Sequence, residues 1–182
     1  MIVAFVQGII RQSLERKAIT MRIAAKGREV SLSWIALLRV MMGLVFLTTW
    51  LSNLSKGLYG EGYLPFIQSW ADGTSFRWYA DFLYNVVIPN SEIFRVVQIV
   101  IEGLMMGLFL TIGLLTPLSA AISWLFAVNL FLASFGTGEW PWTYIMMGVM
   151  LAIIAITRAG RSFGVDSWLV KKWGEPPIPY LW

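Results

Sequence analysis

The 182-residue sequence contains no cysteine and no histidine, and only 13% of its residues are charged. Each shortage excludes something. Without thiolate or imidazole the chain has no ligands for an iron–sulfur cluster, a Cys/His zinc site or a histidine-bound haem. Disulfide relays fall with the cysteines. Any redox role therefore rests on a diffusible cofactor or a partner subunit. The charge deficit is as informative, because a soluble domain carries about 25% charged residues. Here 58% of residues are hydrophobic, mean hydropathy is +0.69, and the charges are missing from four long apolar runs. The net charge of +4 does not point to nucleic acid, because the basic residues flank those runs.

A membrane-spanning helix needs about 20 apolar residues at 1.5 Å rise. The runs 33–54, 93–115, 118–135 and 142–157 meet or approach that length, the last being short. Thr116 and Pro117 read as a tight hairpin between the second and third runs, since proline disfavours helix before it and suits the first turn of the next. The expected fold is an all-α membrane protein, a four-transmembrane-helix bundle. Lysine and arginine set its orientation. Arg11, Arg16, Lys17, Arg22, Lys26 and Arg28 precede the first run, and Arg158, Arg161, Lys171 and Lys172 follow the last. The 55–90 loop has only Lys56 and Arg77 against Glu61, Asp72 and Asp81. Both termini are thus expected in the cytoplasm and the loop outside, in a prokaryotic cytoplasmic membrane.

Three segments follow: a basic arm at 1–31, a membrane domain at 32–170 and a cytoplasmic tail at 171–182. Ile2, Val6, Ile9, Ile10, Leu14 and Ile23 suggest that the arm is an amphipathic helix on the inner leaflet. The 55–90 loop is rich in tyrosine, tryptophan and phenylalanine, which favour the membrane boundary. It is expected to cap the outer mouth, with an interfacial helix over 75–87. Asp166 reads as the N-cap of a short helix running to Trp173, stopped by Gly174 and Pro176-Pro177.

Ionisable residues at membrane depth are costly and mark function by default. Arg39 in the first run and Glu102 in the second lie where antiparallel helices bring them toward each other, and a buried ion pair is expected. Arg95, Gln98 and Glu102 share a helical face, as do Arg39, Gly43, Phe46, Trp50 and Asn53, and Gly103 and Gly107 permit close helix approach. Two readings stand for this polar seam. Glu102 and Arg39 are structural glue, or they handle charge and protons beside a quinone held by Glu102, Gln98, Asn53 and Trp50. The methionines read as core packing. Trp140 and Trp142 read as interface anchors or ligand contacts. Arg158 and Arg161 read as positive-inside anchors or as contacts to a lipid phosphate or a partner.

Leu38-Arg39-Val40 with Gly43, Lys56-Gly57, Glu102-Gly103, Gly113-Leu114-Leu115-Thr116-Pro117, Glu139-Trp140-Pro141-Trp142 and Gly160-Arg161-Ser162-Phe163-Gly164-Val165-Asp166 occur in an order and spacing that resembles the DoxX/DoxD family. The resemblance runs from about Trp34 to Leu169 and is closest to DoxD, the small subunit of thiosulfate:quinone oxidoreductase. It implies a four-helix bundle that, with a DoxA-like partner, passes electrons from thiosulfate to quinone and yields tetrathionate. The alternative is a non-catalytic accessory or assembly subunit of a larger respiratory or photosynthetic complex. No metal or covalent cofactor is expected, and the partners are the lipid bilayer and other subunits of the complex.

Overall fold

In a computed structural model, residues 32–182 are described, and the expected amphipathic arm at 1–31 lies outside them. Every regular element among the described residues is helical. Three helices are long and apolar enough to cross a membrane: α1 (Leu32–Ser55), α4 (Ser91–Ile112) and α5 (Thr116–Ser134). A fourth apolar helix, α6 (Trp142–Ile156), has 15 residues, or ~22 Å of rise. That is less than the ~30 Å of a hydrocarbon core. The chain is a multi-pass membrane protein on these grounds.

Because α1 is apolar on every side, only packing distinguishes its faces. Ala36, Arg39, Met42, Gly43 and Phe46 are buried at helical spacing, while Trp34, Leu37, Met41, Leu44 and Leu51 stay exposed. An apolar face left outside a bundle suits lipid. Met42, Phe46, Met106, Leu110, Ala120, Ala127, Leu151 and Ile154 pack as one cluster between α1, α4, α5 and α6.

Close approach fixes the register of α1 against α4. A Cβ on Gly43 would lie 2.4 Å from Thr111 Oγ1 and 2.5 Å from Thr111 N, and one on Gly103 would lie 2.6 Å from the Trp50 indole. Leu47 meets Gly107 between them. In lipid, where apolar burial gives no advantage over the acyl chains, such backbone contact is a main source of helix association. Gly43→Ala should therefore destabilise the bundle by ~1–3 kcal/mol, read as a lower thermal midpoint in detergent; an unchanged midpoint would show that α1 and α4 can separate freely here.

The second membrane helix is not uniform. Ile101–Phe109 is a π-helical stretch inside it, a geometry with i→i+5 hydrogen bonds that is uncommon and concentrates at functional sites. The helix ends at Ile112, three residues before the expected Leu115. Gly113 (φ 73) and Leu115 (φ 47) are left-handed, and the Gly113 and Leu114 amides both return to Phe109 O, a helix-terminating pattern. Thr116 and Pro117 are thus the first residues of α5 rather than the turn itself, and proline loses nothing there because that amide has no helical partner.

The 56–90 loop folds into a cap. α2 (Tyr63–Gly73) buries Tyr63, Ile67 and Ala71 at four-residue spacing. The sequence reading missed this helix, yet Pro65 is tolerated because it falls within the first turn. The expected helix at 75–87 appears as α3 (Arg77–Phe82) continuing into a π-helical turn, Leu83–Val87. Ser75 N donates to Phe135 O at 2.7 Å, Thr74 Oγ1 to Leu132 O at 2.6 Å and Tyr79 Oη to Asn129 Oδ1 at 2.7 Å. The cap is thereby pinned to the end of α5. This end of the bundle is the loop end; the opposite one, which carries α7 (Val165–Trp173) and the last residues, is the tail end.

Candidate functional site

Arg39 and Glu102 do not meet. With Gly43 opposite Thr111 and Trp50 opposite Gly103, the level of Glu102 on α1 is near Asn53, about 14 residues or ~20 Å from Arg39. The expected ion pair is replaced by two separate polar centres, one at each end of the bundle. The register set by the glycines decides this, because no side chain bridges such a gap.

At the tail end, Arg39 is wholly buried. Its Nη1 donates to Leu110 O at 2.8 Å and Thr111 O at 2.9 Å, and its Nη2 to Phe163 O at 3.0 Å. The guanidinium thus satisfies carbonyls that the end of α4 leaves without helical partners. Asp166, also 0% exposed, serves the start of α5. Leu115 N donates to its Oδ1 at 2.7 Å and Thr116 N to its Oδ2 at 2.9 Å. Asp166 is therefore not the N-cap of its own helix, which starts after Gly164; it caps a helix 50 residues earlier in the chain. Burial pushes its carboxyl up, and the Thr116 and Leu115 amides and the Arg39 charge pull it back.

At the loop end, Glu102 is 2% exposed. Tyr59 Oη donates to its Oε2 at 2.6 Å, and Gln98 Nε2 donates to the same oxygen at 3.3 Å. Tyr63 Oη donates to Gln98 Oε1 at 3.2 Å, Asn53 Nδ2 to Tyr59 Oη at 3.5 Å and Arg95 Nη1 to Tyr59 O at 3.2 Å. The shared face of Arg95, Gln98 and Glu102 is real, and it addresses the cap rather than α1 alone. Burial raises the Tyr59 hydroxyl, with the Glu102 hydrogen bond adding to it. Burial also pushes Tyr63 up to about 12. Both phenols keep their protons near neutrality and act as donors.

Glu102 and Gln98 stand in the wall shared by two cavities. The larger, ≈ 530 Å³, runs from Phe46, Phe126 and Met147 past Asn53 to Lys56 and Glu139, with Phe66 and Trp70 of the cap on one side. The smaller, ≈ 230 Å³, lies under the cap beside Tyr79 and Asn129. Mostly apolar walls with a few converging polar groups are the usual make-up of a small-molecule site. Of the expected contacts, Asn53, Gln98 and Glu102 line the larger cavity, whereas Trp50 lines neither. Its indole packs on Gly103 and donates to Ile99 O at 3.1 Å, so aromatic contact falls to Phe66, Trp70 and Phe126. Tyr59, Lys56, Glu139 and Tyr144 were not singled out for this site in the sequence; Tyr59 is 43 residues from its partner Glu102 and stood there as one loop aromatic among many.

The remaining candidates lie outside the cavities. Trp140 and Trp142 are 73% and 55% exposed, as boundary anchors are. Arg158 and Arg161 are held by the tail: Glu175 accepts from Arg158 at 3.1 Å and from Arg161 at 2.8 and 2.7 Å, and Trp182 O accepts from Arg161 at 2.9 Å. Hydrogen bonding to Arg161 holds the exposed Glu175 carboxyl below its usual range, with Arg158 adding to it. A depressed carboxylate contributes its stabilisation above its unfolded value and loses it as pH falls through the lowered one. Cleavage of the tail in limited proteolysis should accordingly rise in acid and in high salt, and with Glu175→Gln at neutral pH; a tail equally resistant in all three would mean that the arginines do not hold it.

No curated protein and no solved structure matches the chain. A family model does: the one described as TQO small subunit DoxD matches residues 30–178, a stretch that takes in every helix above and carries the match past the expected 170 boundary through all of α7. The chain therefore belongs to the DoxD family, whose name denotes the small subunit of thiosulfate:quinone oxidoreductase.

Proposed function

We propose that this chain is the membrane subunit of a thiosulfate:quinone oxidoreductase and that the larger loop-end cavity takes the quinone. The observation that carries the reading is Glu102, a buried carboxyl hydrogen-bonded by Tyr59 and Gln98 in the wall of a mostly apolar cavity beside membrane-spanning helices. A quinone head group needs flat apolar contact and one or two hydrogen-bonding groups at its carbonyls. Phe66, Trp70 and Phe126 offer the first, Gln98 and Glu102 the second. The volume of ≈ 530 Å³ lies within the 300–1,000 Å³ common for small ligands.

Thiosulfate fits the same cavity poorly. It is a dianion, and the lining offers Lys56 against Glu102 and Glu139. Its oxidation to tetrathionate is assigned to a DoxA-like partner. The basic flanks, Arg158, Arg161, Lys171 and Lys172 among them, favour a cytoplasmic tail end by the positive-inside rule, and the membrane proposed is the cytoplasmic membrane of a prokaryote. Membranes containing this chain and its partner should reduce added quinone when given thiosulfate, and membranes lacking only this chain should not. A short-chain quinone should also quench tryptophan fluorescence of the purified chain, less so after Trp70→Phe. Full quinone reduction without this chain would end the proposal.

A further inference from the structure

Reduction of a quinone consumes protons that oxidation of thiosulfate does not provide. Two thiosulfate ions join through one new S–S bond and release two electrons and no proton. Each quinone takes up those two electrons and two protons to become a quinol. The protons must therefore reach the cavity from water on one side of the membrane.

The two halves of the bundle differ sharply in what they offer a proton. On the loop side, Glu102 is in hydrogen-bond contact with Tyr59 and Gln98, and Asn53 with Tyr59. The ≈ 530 Å³ cavity continues from Glu102 past Asn53 to Lys56, Glu139 and Tyr144, and Lys56 and Glu139 are exposed. Tyr63 and Arg95 face this centre from the cap and from α4, Tyr79 of the cap lines the smaller cavity that shares Glu102, and α5 presents Phe126 and Leu130 to the larger one. On the tail side, Phe46 and Met106 form the cavity floors, and the next layer is Leu110, Leu151 and Ile154, all buried. Beyond it come Arg39, whose guanidinium is committed to three carbonyls, and Asp166, committed to two amides. The buried Ser123 hydroxyl in this half donates to Ser119 O, and that of Ser119 to Leu114 O. A proton crossing that layer would pass between apolar side chains, with no titratable group of the described residues within the layer to carry it, at a large desolvation cost.

We propose that the protons consumed in quinone reduction enter from the loop face, along Lys56, Glu139 and Asn53 to Tyr59 and Glu102, and that the tail half of the bundle is closed to them. The inference rests on the quinone reading above and adds its sidedness. Glu102 is the group nearest the ligand on this route, and Tyr59 positions it and relays the proton.

The chain has no cysteine, which makes the test clean. In sealed vesicles holding the chain and its partner, orientation is first assigned by labelling Glu61→Cys and Lys171→Cys with a membrane-impermeant maleimide. Thiosulfate and a short-chain quinone are then supplied, and pH is followed on both sides. The loop side should turn alkaline by about two protons per quinone reduced; alkalinisation of the tail side overturns the proposal. Independently of turnover, Asn53→Cys should react with a small water-soluble thiol reagent added on the loop side, and Leu151→Cys, at a wholly buried position outside both cavities, should react from neither side. Reaction of Leu151→Cys from the tail side would also overturn the proposal, even if Glu102 variants fold poorly. Absence of any quinone reduction with intact labelling patterns would instead count against the quinone reading and leave the water path established.

Discussion

Glu102→Gln should lower thiosulfate-dependent quinone reduction by ~10²-fold or more, the range in which removal of a positioned acid–base group falls. The fold should survive, because glutamine has the same shape and its carbonyl oxygen still accepts from Tyr59 Oη, which now sits 2.6 Å from Glu102 Oε2. What glutamine lacks is a proton it can give and regain. The loss should therefore appear in kcat more than in KM. Tyr59→Phe should have a smaller effect in the same direction, since it removes one of the contacts that orient Glu102 while leaving the carboxyl in place. Steady-state kinetics with a short-chain quinone, alongside thermal unfolding of each variant, separates these outcomes. Wild-type kcat in Glu102→Gln would remove the residue from the chemistry and leave it as helix-to-cap glue.

The second large effect is on stability, at the opposite end. Asp166→Ala should cost about 3 kcal/mol or more, because it leaves two buried amide donors at the start of α5 without acceptors, each worth ~1–3 kcal/mol when stranded. It also removes the nearest negative charge from the buried Arg39. For a chain of this size the thermal midpoint should fall by roughly 6–12 °C. Asp166→Asn keeps an acceptor oxygen and should lose less. Detergent-solubilised yield and thermal unfolding measure both variants. The kinetic constants of whatever Asp166→Asn protein folds should stay near wild type, since Asp166 lies outside both loop-end cavities. A selective loss of kcat in folded Asp166→Asn would show that the tail end takes part in turnover.

These two residues show how unequally the chain announces its own organisation. Glu102 stands out in the sequence because a carboxylate inside an apolar run has few innocent explanations, and its place on one face with Arg95 and Gln98 follows from helical spacing alone. Asp166 stands out for the wrong reason. A short acid before a helical run reads as a local N-cap, yet its carboxylate closes a helix 50 residues away. Local patterns carry no information about such a return of the chain.

The sequence by itself determined the membrane class, the three long apolar helices and the shorter fourth, and the burial of Arg39 and Glu102, because hydrophobic length and helical period are local properties that lipid enforces strictly. The lack of cysteine and histidine likewise set the chemistry open to the chain before any fold was known. Only the tertiary structure decided which polar groups meet. The contact of Gly43 with Thr111 and of Gly103 with Trp50 fixes the axial register of α1 on α4, and that register separates Arg39 from Glu102 by ~20 Å. It also sends Trp50 into a helix interface and brings Tyr59, 43 residues from Glu102 in sequence, onto its carboxylate. Register depends on which small residues let two backbones touch, a pairwise matter that composition and periodicity do not encode.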